Sequence, residues 1–502
     1  MSVGIQFYFV MVTQFVTKIF AFVASVLVAR VMGPTVVGII AFAYAFVGLF
    51  EFLFDMGTGT AHIKRISEGR DYSKCLGAYA LLKALLSFLA LGVVLAAYTF
   101  IYQYREGFQD QVQRTVIFII LGSVVVDQVF MFYFNTFKAQ LKFGKSQIIK
   151  SVKDIADALL VIAVVIFWRN IYVLAAVYLV SESIGAVMGF VLLKNKRIRK
   201  PDASLLKSYV KFSIPMFAIT VGWTVYQNID KVMIRSFWPA ADVGIYHVGY
   251  RICAFALLLG TSLNAILFPT VSKLHGEGKL DSIREVLYKG ERFTALLITP
   301  FALVCAVFAQ PIILNIWGEA YLPVIPILRV LAIFTVFACM GYPLSAGIMG
   351  IGRIWAYFWL FAINLLLLIS SNLIFIPESV FGIKTLGLGA LGAAWGTLVA
   401  IFFGYILRKF LLHRYIRIDL SCRVFTAPLV GCLIGGAFWL VNRLEISLME
   451  SLYLLPIALA AYFTLAFLFR AMTGEDIRLI IRILKPSSTK KYLTDEFQRS
   501  AD

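Results

Sequence analysis

The residues of this sequence best suited to chemistry are ionisable side chains set inside stretches apolar enough to enter a bilayer. Lys18 and Glu182 each stand near the middle of such a stretch. Asp230, Lys231 and Arg235 close another, and Arg251 and Arg329 occupy two more. A charge at that depth costs about 2.5–3.5 kcal/mol on insertion scales, so it turns to a cavity or a partner rather than to lipid. Lys18 is too central to snorkel and is expected to face a cavity. Asp230 and Arg251 are a candidate structural pair. Even so, Lys18, Lys231, Arg235, Arg251 and Arg329 outnumber the acids near them and would give a positive lining able to meet an anion. Arg in particular matches the oxygens of a phosphate through two parallel hydrogen bonds.

The acids in apolar stretches are Glu51, Asp55, Asp127, Asp157 and Glu182. Glu182 reads first as a counter-ion for Lys18, and second as a proton or sodium site. Asp157 and Asp230 share that pair of readings. Asp55, Asp154 and Asp157 lie close enough to the cytoplasmic side to be solvated, and Lys83 has a stem long enough to snorkel there.

Other chemistries find little support. The four histidines, His62, His247, His275 and His413, are scattered, three of them in polar connections. No H-E-x-x-H, Walker or Gly-x-Ser-x-Gly motif occurs, and no Cys/His cluster suggests a metal. No cofactor is expected. The six cysteines form no C-x-x-C pair and mostly sit in apolar runs, as small core hydrophobes do.

The elements that must position these groups follow from composition. Of 502 residues, 61% are hydrophobic and 15% charged, and mean hydropathy is +0.87. A soluble protein carries about 25% charge, so the chain reads as an all-α polytopic membrane protein. Apolar runs near 5–29, 35–55, 76–98, 115–134, 155–168, 171–193, 212–234, 243–268, 293–313, 325–346, 354–376, 388–407, 424–442 and 452–471 predict 14 transmembrane helices. The first run is too long for a signal peptide and is expected to be retained. The fifth and sixth runs are separated only by Trp168-Arg169-Asn170.

Lys and Arg concentrate in alternate connections, among them 194–211, with Lys194, Lys196, Arg197, Arg199 and Lys200. That bias places both termini in the cytoplasm. It also accounts for the net charge of +19 without nucleic acid. The connections are short, so function must lie in the bundle or at its mouths. Ile477, Ile480, Ile481 and Leu484 have the spacing of an interfacial helix on the inner leaflet.

Two stretches repeat about 205 residues apart: R-V-M-G-P-T-V-V-G at 30–38 and R-S-F-W-P-A-A-D-V-G at 235–244. Each ends one span and opens an aromatic-rich next one. Duplication predicts two pseudo-symmetric six-helix lobes, 1–200 and 201–420, two extra helices in 421–473, and a cytoplasmic tail over 474–502.

Residues 29–69, A-R-V-M-G-P-T-V-V-G-I-I-A-F-A-Y-A-F-V-G-L-F-E-F-L-F-D-M-G-T-G-T-A-H-I-K-R-I-S-E-G, resemble the opening of the polysaccharide transporter family. These are the O-antigen-type flippases of the MOP superfamily. Residues 228–246, N-I-D-K-V-M-I-R-S-F-W-P-A-A-D-V-G-I-Y, are similar to the family's second-half signature, with Phe237-Trp238-Pro239 in place of its usual Leu-Gly turn. The resemblance implies a plasma-membrane transporter, not an enzyme. It would flip polyprenyl-diphosphate-linked oligosaccharides outward by alternating access, alongside glycosyltransferases and a glycan polymerase. Two other readings are a multidrug or organic-cation antiporter of the same superfamily, and a membrane-embedded glycan ligase or acyltransferase. The first would want uncompensated acids in its cavity. The second would want a catalytic His or carboxylate at a membrane face.

Overall fold

A computed structural model describes residues 3–104, 110–193, 197–380, 382–418, 422–442, 448–469 and 471–472. The described residues are helical almost throughout, because a spanning segment must satisfy its own backbone N–H and C=O groups in lipid. The protein is an all-α polytopic membrane protein. The described parts of the predicted apolar stretches fall mostly on helix, and among the described residues nine helices are long and apolar enough to cross a bilayer. The described residues form two compact units, the first centred on Met1–Gly244 and the second on Ile245–Thr489. The interfacial helix expected near Ile477 and the tail over 474–502 lie outside the described residues.

The first unit holds α1 (Val3–Gly48), α2 (Glu51–Asp55), α3 (Thr58–Ser67), α4 (Tyr72–Tyr104), α5 (Gln111–Ala139), α6 (Phe143–Phe167), α7 (Ile171–Leu192) and α8 (Ala203–Phe237). Helix α1 is two helices joined at Gly33, whose φ of 79° only glycine adopts at little cost. Pro34 then starts the second part, where its missing N–H is no loss. That second part is continued, with breaks, by α2 and α3. Met56 and Gly57 take left-handed φ values, and the Asp55 carboxylate accepts from Thr58 Oγ1 (3.3 Å) and Gly59 N (3.2 Å) to cap α3. Helix α3 was not expected: the sequence reading ended this span at residue 55. The turn at Trp168-Arg169-Asn170 is where α6 gives way to α7, whose first N–H groups, Tyr172 and Val173, donate to Asn170 Oδ1.

The repeated turns meet each other. A Cβ on Gly38 would lie 1.7 Å from the carbonyl oxygen of Ala240, and one on Gly244 would lie 2.1 Å from that of Pro34. Each copy thus presses its glycine onto the opening backbone of the other, a reciprocal contact of the kind a two-fold relation produces. The basic connection before α8 is also fastened. Arg199 N donates to Ser73 O (3.0 Å), Gly77 leaves room for the Arg199 carbonyl, and Lys74 pairs with Asp202 at 2.8 Å.

The second unit contains most of α9 (Ala240–Gly276), then α10 (Leu280–Val307), α11 (Ala309–Ile316), α12 (Val324–Gly350), α13 (Ile354–Phe375), α14 (Gly389–Ile416), α15 (Thr426–Asn442) and α16 (Leu448–Leu468). Its core is built from α10, α12 and α14, all heavily buried. A two-residue antiparallel pair, β1 (Ser379–Val380) and β2 (Ile383–Lys384), joins α13 to α14. Those helices approach closely because Gly392, Gly396 and Gly404 leave room for Phe375 O, Asn372 Oδ1 and Asn364 Nδ2, with which any Cβ would collide.

Candidate functional site

In the first unit two of the acids in apolar stretches, Glu182 and Asp55, are joined to lysines on neighbouring helices. Lys153 of α6 donates to Glu182 Oε1 of α7 at 2.8 Å and lies 3.9 Å from Asp154. Glu182's cation is therefore Lys153, a residue the sequence reading had assigned to a cytoplasmic connection, while Lys18 is exposed on α1. Asp157 accepts from Ser181 Oγ of α7 at 2.8 Å. It is thus tied into the helix pair rather than simply solvated. Lys83 of α4 does not snorkel: it is 5% exposed and turns inward to Asp55 Oδ1 and Gln128 Oε1, both at 2.7 Å. Gln128 Nε2 in turn approaches Asp127 Oδ2 at 3.4 Å.

His62, expected in a polar connection, is fully buried on α3. Its Nδ1 lies 3.1 Å from Tyr209 Oη and its Nε2 3.1 Å from Thr136 Oγ1, and its ring stacks on Tyr79 at 4.3 Å. Both nitrogens have neutral partners, which suits a neutral imidazole holding α3, α5 and α8 together. In the last turn of α3, Arg65 donates to Glu68, just past the helix end, at 2.7 Å and to Ser208 O at 3.1 Å. That bond holds the Glu68 carboxyl below its ordinary range.

The cation candidates on α8 share one ridge. Gln227, Lys231 and Arg235 recur every four residues, so they stack along one face. Lys231 Nζ donates to Gln227 O at 3.0 Å. Arg235 Nε donates to the buried Gln113 Oε1 of α5 at 2.5 Å, and Nη1 to Trp238 O at 3.4 Å. Asp230 is buried on the same helix, 6% exposed. Arg251, half-buried, belongs to the second unit.

Also in the second unit, Arg329 Nε donates to Ala306 O at 3.2 Å. It lines a cavity of about 300 Å³ among α10, α12 and α15, whose walls include Ala302, Leu303, Ile333, Phe337 and Cys432. The structure therefore brings Asp230, Lys231 and Arg235 together on α8 and Asp157 and Glu182 together on α6 and α7. Arg329 stands beside an apolar slot. One charged cluster was not foreseen: Glu291, Tyr405 and Lys409, 3%, 1% and 6% exposed, are locked together between α10 and α14. Among the described residues no group of three His, Cys, Asp or Glu is placed to hold a metal ion.

Residues 6–275, over half of the chain, match the family model described as polysaccharide biosynthesis protein. The chain belongs to that family. Residues 215–374 also match the MatE model. Among relatives, the probable low-salt glycan biosynthesis flippase Agl15 of Haloferax volcanii is 20% identical over 316 residues, 61% of this chain and 64% of that protein. The teichuronic acid biosynthesis protein TuaB of Bacillus subtilis is 24% identical over 266 residues, 50% of this chain and 53% of its own. The chain thus spans less than two thirds of these relatives. The same fold occurs in the lipid II flippase MurJ in an inward closed conformation (TM-score 0.72, 14% identity, 92% of this chain and 98% of that one). It occurs too in an inward-facing multidrug resistance MATE transporter of the MOP superfamily (TM-score 0.63, 16% identity, 84% and 97%).

Proposed function

We propose that this protein is a flippase, not an enzyme. It moves a polyprenyl-diphosphate-linked oligosaccharide from the cytoplasmic to the external leaflet of the cell membrane by alternating access of two related lobes. Fourteen crossings with both termini in the cytoplasm complete the reading. The observation that carries it is how Arg235 and Arg329 are held. Each guanidinium sits within a helix of a membrane protein and is fixed by hydrogen bonds to neutral oxygens, those of Gln113, Trp238 and Ala306. Such acceptors orient the group without cancelling its charge, and Asp110, which acts on Arg235 electrostatically, makes no hydrogen bond to it here, so both groups can meet a diphosphate. The apolar slot beside Arg329 supplies a surface for an isoprenoid chain. Family membership and the flippases among the relatives support the same substrate class.

The test is transport of a polyprenyl-diphosphate-linked glycan by proteoliposomes. Arg235→Ala and Arg329→Ala are expected to slow it roughly 10- to 100-fold each, since a charge-assisted hydrogen bond contributes about 1.5–3 kcal/mol. Lys18→Ala and Arg251→Ala extend the path if they do the same. Wild-type rates in all four variants would remove the anion path. A glycan recovered with altered covalent structure after incubation with the purified protein alone would overturn the non-enzyme assignment. The MatE match favours one second reading, a multidrug antiporter; efflux of a cationic dye with no movement of glycan lipid would establish it.

A further inference from the structure

Helix α8 carries more than cations on the ridge that holds Lys231 and Arg235. The four-residue row that runs through Gln227, Lys231 and Arg235 begins with Trp223, which is 49% exposed. Tyr226 lies beside it, its ring 6.3 Å from the indole and inclined by only 18°. Two aromatic faces are thus laid nearly parallel, one turn apart. Membrane tryptophans gather at the interfaces, where the indole N–H meets water. Trp223 does not fit that role. The apolar run here is 212–234, and Trp223 is its middle residue. An aromatic pair with two polar tips at mid-depth, continuous with Gln227 and Lys231, marks a face turned away from hydrocarbon.

The rise of a helix puts Lys231 about 12 Å along the axis from Trp223 and about 7.5 Å from Tyr226. That separation is comparable with one or two pyranose rings. The C–H edges of a pyranose carry partial positive charge and pack on the negative face of an aromatic ring, whereas a phosphate does not. We propose that Trp223 and Tyr226 form a sugar-stacking platform for the glycan of the lipid substrate, set so that sugars beyond the first lie on it while the diphosphate meets Lys231 and Arg235. This assignment rests on the flippase reading above. It adds to that reading a part of the protein that senses glycan length.

The experiment uses the full-length protein in proteoliposomes with two lipids, a polyprenyl diphosphate bearing one sugar and the same lipid bearing four. Outward movement is read by oxidation of exposed sugar with membrane-impermeant periodate. Trp223→Ala is expected to slow the four-sugar lipid roughly tenfold relative to the one-sugar lipid. Trp223→Phe should restore most of that loss, and Tyr226→Leu should resemble the alanine variant. Transport of the one-sugar lipid serves as the folding control within the same variant. Equal loss for both lipids, no loss for either, or failure of phenylalanine to rescue overturns the platform while leaving the flippase standing. A wild-type protein that moves neither lipid overturns both.

Discussion

Lys409→Met, which leaves Glu291 without its cation, is expected to destabilise the second unit by about 3–5 kcal/mol, the usual cost of stranding one charge of a buried pair. Lys409 Nζ lies 3.2 and 3.4 Å from the two oxygens of Glu291, and the Tyr405 hydroxyl donates to the same carboxylate. Lys409 also lies over the Tyr405 and Phe425 rings, 5.7 and 5.6 Å from their centroids, and is only 6% exposed. Glu291→Leu combined with Lys409→Met should recover most of the loss, because two apolar groups of similar size need no solvation. Thermal unfolding of the detergent-solubilised protein checks this. If the single and double variants melt together, the pair is not what fastens α10 to α14.

Gly38→Ala is expected to be as damaging as many larger core substitutions, although it adds one methyl group. The colliding atom is a backbone carbonyl oxygen at 1.7 Å, and a carbonyl has no rotamer by which to retreat. Overpacking by a few atoms ordinarily costs about 1–3 kcal/mol, and a rigid obstacle puts this case at the upper end. Gly244→Ala should behave alike, since its Cβ would meet Pro34 O at 2.1 Å. Gly92→Ala on α4 is the control, with nothing within 4 Å of an added Cβ. The yield of folded protein and the rate of glycan-lipid transport both report the difference. Normal values for Gly38→Ala would mean that the two repeated turns separate readily.

Much of this fold was legible in the sequence because a bilayer needs about 20 apolar residues per crossing. The repeat at 30–38 and 235–244 was legible for a similar reason, since turn residues are few and distinctive. What could not be read was where charged side chains point once helices pack. Lys153 and Lys409 looked like members of basic connections, yet they pair with Glu182 on the next helix and with Glu291 on a helix far away in sequence. Helix α6 begins at Phe143, well before the expected 155, because Lys145, Lys150, Lys153 and Asp154 interrupt its hydropathy without interrupting its hydrogen bonds. His62 was misplaced by the same logic, for α3 is short and follows a break. Asp55, three residues before Thr58, was the available clue, since its carboxylate accepts from Gly59 N at the start of α3. That Lys231 and Arg235 lie on one face of a single helix needs no tertiary knowledge, since their four-residue spacing is plain in the sequence.

The slot beside Arg329 has a chemical handle in its wall. Cys432 is exposed and lines that cavity, whereas Cys75, Cys253, Cys305 and Cys339 are buried and out of reach of a reagent. With Cys422 replaced by serine, a thiol-directed spin label or fluorophore can therefore be seated where, on the proposed function, an isoprenoid chain would lie, with no cysteine introduced. Its protection would follow the comings and goings of the lipid in real time.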